Sequence, residues 1–275
     1  MLELNRQTRP VAQRRLITAL AHSEAEVLEA QRLRYKIFAE EMGANLPSAT
    51  EGIDRDFYDK YCEHLLVRES AENKVVGTYR ILSPDQAKKV GSYYAQTEFD
   101  LTRLLHLSDR MVEVGRSCVH WDHRDGATIT QLWSGLAQYM LKNGHEYLIG
   151  CASISMADGG HVAASIYRKL HKIYAAPVEY SVFPRCPLPL HALNQSLDAP
   201  IPALLKGYLR LGACICGEPA WDPDFNTADL FIFLPMSRIS NRYAKHFLKE
   251  TRNPHATFDS APRRLNQLDS SLHRI

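Results

Sequence analysis

The stretch MVEVGRSCVHWDHRDGATITQLWSGLAQYMLKNGHEYLIGCASI, residues 111–154, decides the fold. Its first ten residues are β-like, and Gly115 within them predicts a bulge or a close approach of another backbone. A polar loop follows at 121–125. Leu132, Trp133, Leu136, Tyr139 and Met140 then recur at helical spacing, which predicts a helix over 126–142 ended by Asn143-Gly144. Residues 146–154 read as a buried strand. Strand, loop, helix and strand in that order form a βαβ unit, so the two strands should run parallel.

Working upstream, Ser23 and Glu26 make a capping box before an apolar-periodic run containing Val27, Leu28, Tyr35, Ile37, Phe38 and Met42. This predicts an amphipathic helix over 24–42, ended by Gly43, with Arg34 and Phe38 on one face. The segment 45–59 is turn-rich and acidic. Residues 64–68 and 74–82 are apolar runs separated by polar residues, the signature of an antiparallel hairpin. Between 83 and 110 lies a long connection, with a short helix expected at 99–107. Connections of that length in a compact domain are usually functional. Downstream, the pattern predicts a helix at 160–172, a Pro-rich loop at 177–202, a helix at 202–211 and a strand through 230–234. Together these give an α/β class. One domain is expected over 23–249, between a flexible basic lead at 1–22 and a mobile basic tail at 250–275.

Composition narrows the function. A chain of 275 residues that is 45% hydrophobic and 23% charged supports one sizeable core and argues against bulk disorder. No run approaches the roughly 18 apolar residues of a membrane-spanning helix. Four arginines precede residue 16 without a long apolar run after them, so no secretory signal is expected and the cytoplasm is the expected compartment. The six cysteines form no CxxC pair and mostly sit in apolar segments, which fits buried, reduced thiols. His120 and His123 have no neighbouring ligand set, so no metal is expected.

The net charge of +2 hides an asymmetry: residues 1–19 carry +3 and residues 238–275 carry +5, leaving −6 for the middle. Basic ends on an acidic body suit an anionic surface, either lipid or an acidic carrier protein, and equally suit solvated tails. Peripheral contact with the inner membrane follows as one expectation. No compact basic stripe with interleaved aromatics points to nucleic acid.

The start of the 126–142 helix carries the first chemical signal. Unpaired backbone N–H groups and the helix dipole favour an anion there, and Arg124-Asp125-Gly126-Ala127 adds a cation and a small residue. A plain helix entry reads the same way. The arrangement of strand, Arg-x-Gly-Ala, helix and strand resembles the acyl-donor loop of the GNAT superfamily. It lacks one spacer residue and one glycine of the usual Arg/Gln-x-x-Gly-x-Gly/Ala pattern. That departure favours acyl-carrier-protein thioesters over coenzyme A as donor.

Four further motifs occur in order: Arg34 with Phe38, Asp56-Phe57-Tyr58-Asp59, Arg80 closing the hairpin, and Glu113-Val114-Gly115-Arg116. This set resembles the acyl-homoserine-lactone synthases. Phe38 to Ala44, Val76 to Arg80, Glu98 to Leu101, Glu113 to His120, Leu204 to Ala213 and Phe225 to Asp229 resemble the ornithine lipid-forming acyltransferase family more closely, over about residues 24–247.

The resemblance implies a GNAT-type mixed, splayed central sheet flanked by helices. It implies transfer of a 3-hydroxyacyl group from acyl carrier protein to the α-amine of an amino acid, ornithine in that family, giving a lyso-aminolipid. No tightly bound cofactor is implied, only the acyl-phosphopantetheine arm as co-substrate. Glu113 is then the candidate base, with Gly115 and Arg116 beside it as catalytic residues. Arg34, Phe38, Asp56, Asp59 and Arg80 become substrate-binding candidates, with Asp56 and Asp59 for ammonium groups and Arg34, Arg80 and Arg116 for a carboxylate or as braces. Arg124, Gly126 and Ala127 would receive the phosphopantetheine. Each has a plainer reading: Glu113 paired with Arg80 or Arg116, and the aspartates as loop caps. The competing functions are a homoserine-lactone synthase and a carrier- or membrane-binding protein without catalysis.

Overall fold

The computed structural model describes residues 15–239. Strand β1 (Leu16–Leu20) pairs antiparallel with β2 (Glu63–Glu69), which forms a hairpin with β3 (Lys74–Leu82). Helix α1 (Glu24–Tyr35) lies between β1 and β2 in sequence. After the hairpin come α2 (Pro84–Val90), the two-residue β4 (Phe99–Asp100), β5 (Met111–Val119), α3 (Ala127–Lys142) and β6 (Tyr147–Ser155). Helix α4 (His161–Tyr174), β7 (Phe183–Pro184), α5 (Ala203–Leu211), β8 (Cys214–Ile215), β9 (Ala220–Asp222) and β10 (Thr227–Pro235) complete it. The sheet order is β1-β2-β3-β5-β6-β10-β8, with β9 also on β10. Among the described strands, β5 and β6 are the pair that runs parallel, as the βαβ reading requires; the other strand pairs of this sheet are antiparallel.

Local expectations met three corrections. Residues 16–20 of the expected flexible lead are a strand, because an alternating LITAL completes the edge beside β2. The expected helix at 24–42 is α-helical only to Tyr35 and continues as a π-helical turn, Lys36–Glu41, before Gly43 reverses the chain at φ 76°. The helix expected at 99–107 is instead β4 followed by a 3-10 segment, Thr102–Arg110. The ordered helix of that connection lies earlier, at α2, where Ser83 caps Gln86 and Pro84 opens the first turn. The charged ends at 1–14 and 240–275, including the expected basic tail, lie outside the described residues.

One face of the sheet is covered by α3, α4 and α5, through Leu132, Leu136, Ile166, Leu170, Leu205 and Leu209. The other carries α1 and the connection after β3, through Leu33, Ile37, Leu104 and Leu107. Alternation is strict on β10. Leu230, Ile232 and Leu234 join the first face, while Phe231 and Phe233 join the second.

The β5–β6 ladder holds only at Met111↔Tyr147, Val112↔Leu148 and Glu113↔Ile149, and then the strands part. On the other side of β5 the register with β3 slips between Thr78↔Cys118 and Arg80↔Gly115. The extra residue is accommodated at Arg116, whose φ is +50°. The predicted bulge is therefore present, but Arg116 rather than Gly115 takes the left-handed backbone. A Cβ on Gly115 would meet open space, so the expected close approach is absent there. It occurs at Gly150, where a Cβ would lie 2.4 Å from the carbonyl oxygen of Val114. Glycine at 150 lets β6 lie against β5 at the point where the two separate.

Candidate active site

A cavity of about 310 Å³ fills the cleft between the splayed strands, a size that suits a small-molecule site. Its polar wall holds Glu113, Arg80, Arg116 and Tyr94 on the α1 side of the sheet. Its apolar wall, on the α5 side, includes Val114, Leu148, Leu204, Tyr208 and Ile232.

The polar wall rests on a buried lattice of arginines and aspartates. Arg34, at the end of α1, is fully buried. Its Nε donates to Asp54 Oδ2 at 2.7 Å, and Nη1 and Nη2 donate to the two oxygens of Asp59 at 2.8 and 2.9 Å. Nη2 also donates to the Asp54 carbonyl at 2.7 Å. Burial alone would raise the Asp59 carboxyl, but the charge and hydrogen bonds of Arg34, with Arg80 behind them, hold it well below the usual range. Asp59 also accepts the backbone N–H of Asp56 at 3.0 Å. Arg34 and Asp59 are thus engaged with protein groups, Asp59 also meeting Arg80 at 3.4 Å, which is the bracing alternative for Arg34.

Asp56 is next in the lattice. Its Oδ1 caps the Tyr58 N–H at 2.8 Å, and its Oδ2 receives Arg80 Nη1 at 2.6 Å and Arg116 Nη2 at 3.2 Å. The local cap and the long-range pair are both made, and the role expected for Asp56 in holding an ammonium competes with two guanidinium groups. Arg116 lies between aromatic faces, 4.8 Å from the Tyr94 ring centre and 4.5 Å from that of Phe225. Phe225 also meets Phe38 edge to face at 5.7 Å. The turn between β9 and β10 that carries Phe225 closes through Asn226 at φ +50°, a conformation asparagine tolerates.

Glu113 is 5% exposed and makes neither expected arginine pair. Its two oxygens accept the backbone N–H groups of Tyr94 and Ala95 at 2.6 and 2.7 Å. Burial raises its pKa; those N–H bonds and the charges of Arg80 and Arg116 oppose the rise, and it settles at about 7. A carboxylate so poised can exchange a proton near neutral pH.

The expected phosphopantetheine residues reach the cavity rim at Arg124, which lines it. Arg124 is held bidentately by Glu41 at 2.6 and 2.8 Å, and Asp125 Oδ1 accepts the Ala127 N–H at 3.0 Å. Gly126 turns into α3 at φ +93°. Both acids sit where an anion was expected.

Sequence reasoning assigned no role to Glu98, Cys151 or Asp229, which lie on the same cavity. Their signal was nonetheless present: Asp229 interrupts TADLFIFLP, an otherwise apolar strand. Tyr94, which faces both Arg80 and Arg116, carried no signal at all. Of the cysteines, Cys62, Cys118, Cys214 and Cys216 are buried and Cys186 is exposed, all with free thiols.

The chain is similar to known proteins in sequence and in fold. Residues 33–134 match the acetyltransferase (GNAT) domain family. The chain is 38% identical over 250 residues to the L-ornithine N(alpha)-acyltransferase of Rhizobium meliloti (strain 1021), covering 84% of each chain. It is 37% identical to the protein of the same name from Agrobacterium fabrum, covering 84% of this chain and 85% of that one. The corresponding Brucella abortus protein is 36% identical, at 83% and 87% coverage. Among solved structures, the CoA-dependent acyl-homoserine lactone synthase BjaI superposes with a TM-score of 0.50 at 18% identity, over 89% of this chain and 93% of the other. At that identity the likeness establishes the fold.

Proposed function

The chain belongs to the L-ornithine N(alpha)-acyltransferase family, an acyltransferase family of GNAT fold, and we propose that it moves a 3-hydroxy fatty acyl group from acyl carrier protein to the α-amine of ornithine. The product is then a lyso-ornithine lipid. The observation that carries this reading is Glu113, buried beside two arginines at the point where β5 and β6 part.

In this reading the acceptor's carboxylate lies against Arg80 and Arg116, which present guanidinium groups to the cavity. Its α-ammonium faces Glu113, which takes a proton directly or through one water and leaves the neutral amine. The amine nitrogen adds to the thioester carbonyl. The C–N bond forms, the C–S bond breaks, and the thiol leaves with a proton. Past Glu113 the edge of β5 facing β6 has no ladder partner, so peptide N–H groups around Gly115 are available to the developing oxyanion. The open space beside Gly115 admits the thioester. The acyl chain follows the apolar wall through Leu204 and Tyr208.

Arg124 receives the phosphopantetheine phosphate. Its partner Glu41 is held in an exposed pair, which is worth on the order of 0–1 kcal/mol and is readily exchanged for a phosphate. The carrier protein and an anionic membrane remain the proposed partners, the latter suited to a lipid product. No described helix is long and apolar enough to cross a membrane.

The test is mass spectrometry of products from purified protein, 3-hydroxyacyl carrier protein and a panel of amino acids. N-acylated ornithine is the expected peak. Absence of any N-acyl amino acid, with carrier protein still bound, would sink the reading.

A further inference from the structure

With Asp56 and Asp59 tied to arginines, the aspartates expected to take the substrate's ammonium groups are engaged, and the second cation of a diamino acid needs another partner. The cavity has a separate acidic end. Asp229 on β10 lies opposite Ser153 of β6, on the same sheet face as Phe231, and is 4% exposed. Glu98 comes from the residue before β4. Carboxylate oxygens of Glu98 and Asp229 and the Cys151 sulfur all lie within 4.8 Å of one another.

Both oxygens of Glu98 are buried, and their polar neighbours are the other members of the cluster, Asp229 and the Cys151 thiol. Asp229 accepts the Thr227 hydroxyl at 3.0 Å. Among the described residues, no lysine, arginine or histidine forms an ion pair with Glu98, Asp229 or the nearby Asp222. Two buried carboxylates side by side without a cation are unfavourable unless a proton or a ligand cation neutralises them. Burial raises both; at Glu98 the charge of Asp229 and a hydrogen bond with it add to the rise, with Asp222 and Glu113 behind them, whereas at Asp229 the hydrogen bonds of Glu98, Ser153 and Thr227 oppose it.

The geometry points to Glu98 and Asp229 as the pocket for the side-chain ammonium of the acceptor, the residues that select a basic amino acid over an apolar one of the same length. This rests on the acyl-transfer reading above. The arginines take the acceptor's carboxylate, Glu113 its α-amine, and the Glu98–Asp229 pair its far end. A trialkyl or apolar side chain would leave the two carboxyls facing each other. An ammonium offers three N–H donors and a positive charge to two carboxyls that have no cationic partner among the described residues.

The experiment compares kcat/KM for ornithine and norvaline, its analogue without the terminal amine, in wild type, Glu98→Gln and Asp229→Asn, with circular dichroism melts of each. Wild type should prefer ornithine by at least about 100-fold, since a site built for a polar group rejects the analogue lacking it. Each variant should compress that ratio at least about tenfold, chiefly through KM for ornithine. Should Asp229→Asn fail to fold, Glu98→Gln alone decides. An unchanged ratio in a folded Glu98→Gln enzyme overturns the assignment while leaving acyl transfer intact. A wild type that acylates no amino acid overturns the functional reading and this pocket with it. Loss of ornithine activity on EDTA treatment, restored by zinc, would assign the cluster to a metal and overturn the ammonium site.

Discussion

Arg34 and Asp59 are joined by two parallel hydrogen bonds, 2.8 and 2.9 Å long, with both side chains almost wholly buried. The pair links α1 to the loop before β2, and through Asp59 the bracing extends to Arg80, 3.4 Å away. The cavity's arginine wall is therefore positioned by Arg34 and Asp59, which do not themselves line the cavity.

Removing either partner strands a buried charge. Arg34→Leu or Asp59→Leu should each cost about 3–5 kcal/mol in urea denaturation. The double variant should cost at least about 1 kcal/mol less than the two together, because the pair is a single coupled unit. Additive losses would mean that the two groups are stabilised independently.

Glu113→Gln keeps the shape and removes the proposed base. The kcat should fall by about 10²–10⁴ with a smaller change in KM for the amino acid. Because the Glu113 pKa is raised to about 7, wild-type kcat should climb as pH rises through 7 and the carboxylate forms. The variant should lack that limb; a variant retaining the limb and most of its turnover would assign the base elsewhere.

His64 is fully buried, 3.8 Å from Asp59, and burial lowers its pKa from 6.5 to about 4 despite that carboxylate. The fold thus favours the neutral ring. Its contribution is complete above pH 6.5 and is lost as pH falls toward 4, by about 3 kcal/mol. Glu113 acts in the opposite direction, since its raised pKa makes the fold lose stability as pH rises from 4.5 to 7. Comparing wild type with His64→Gln across pH 4–7 isolates the histidine. Parallel stability curves would remove it from the account.

Gly150→Ala places a Cβ 2.4 Å from the Val114 oxygen, a backbone atom that cannot swing aside. The strands must move apart at the root of the splay. A loss of about 1–3 kcal/mol is expected, together with a raised KM for the acyl donor. Gly115→Ala meets open space and should leave the melting temperature nearly unchanged while slowing turnover by crowding the cavity. Equal melting temperatures for the two variants would contradict this division.

Much of the fold was legible locally. The β5–α3–β6 unit declares itself through a period of two, then a period near 3.6, then a short apolar run, and such periodicity is a property of contiguous residues. The hairpin at β2–β3, α4 and α5 follow from the same kind of signal. The misses share a cause too. Strand β1 is five residues long and becomes a strand only by pairing with β2, and the 3-10 turns at 94–110 are held by tertiary partners such as the Glu113 carboxylate.

By itself the sequence determined the class of fold, the order of the motifs and the set of charged residues that a mostly apolar core would have to bury. Which charge meets which was decided by tertiary structure alone. Arg34, Asp59 and Arg80 come from a helix, a loop and a strand, and Glu98 and Asp229 are separated by more than a hundred positions before they face one another across the cavity. Periodicity is encoded over a few residues, whereas the pairing of buried charges is set by where the sheet brings distant segments together and by the cost of leaving a buried charge without a partner.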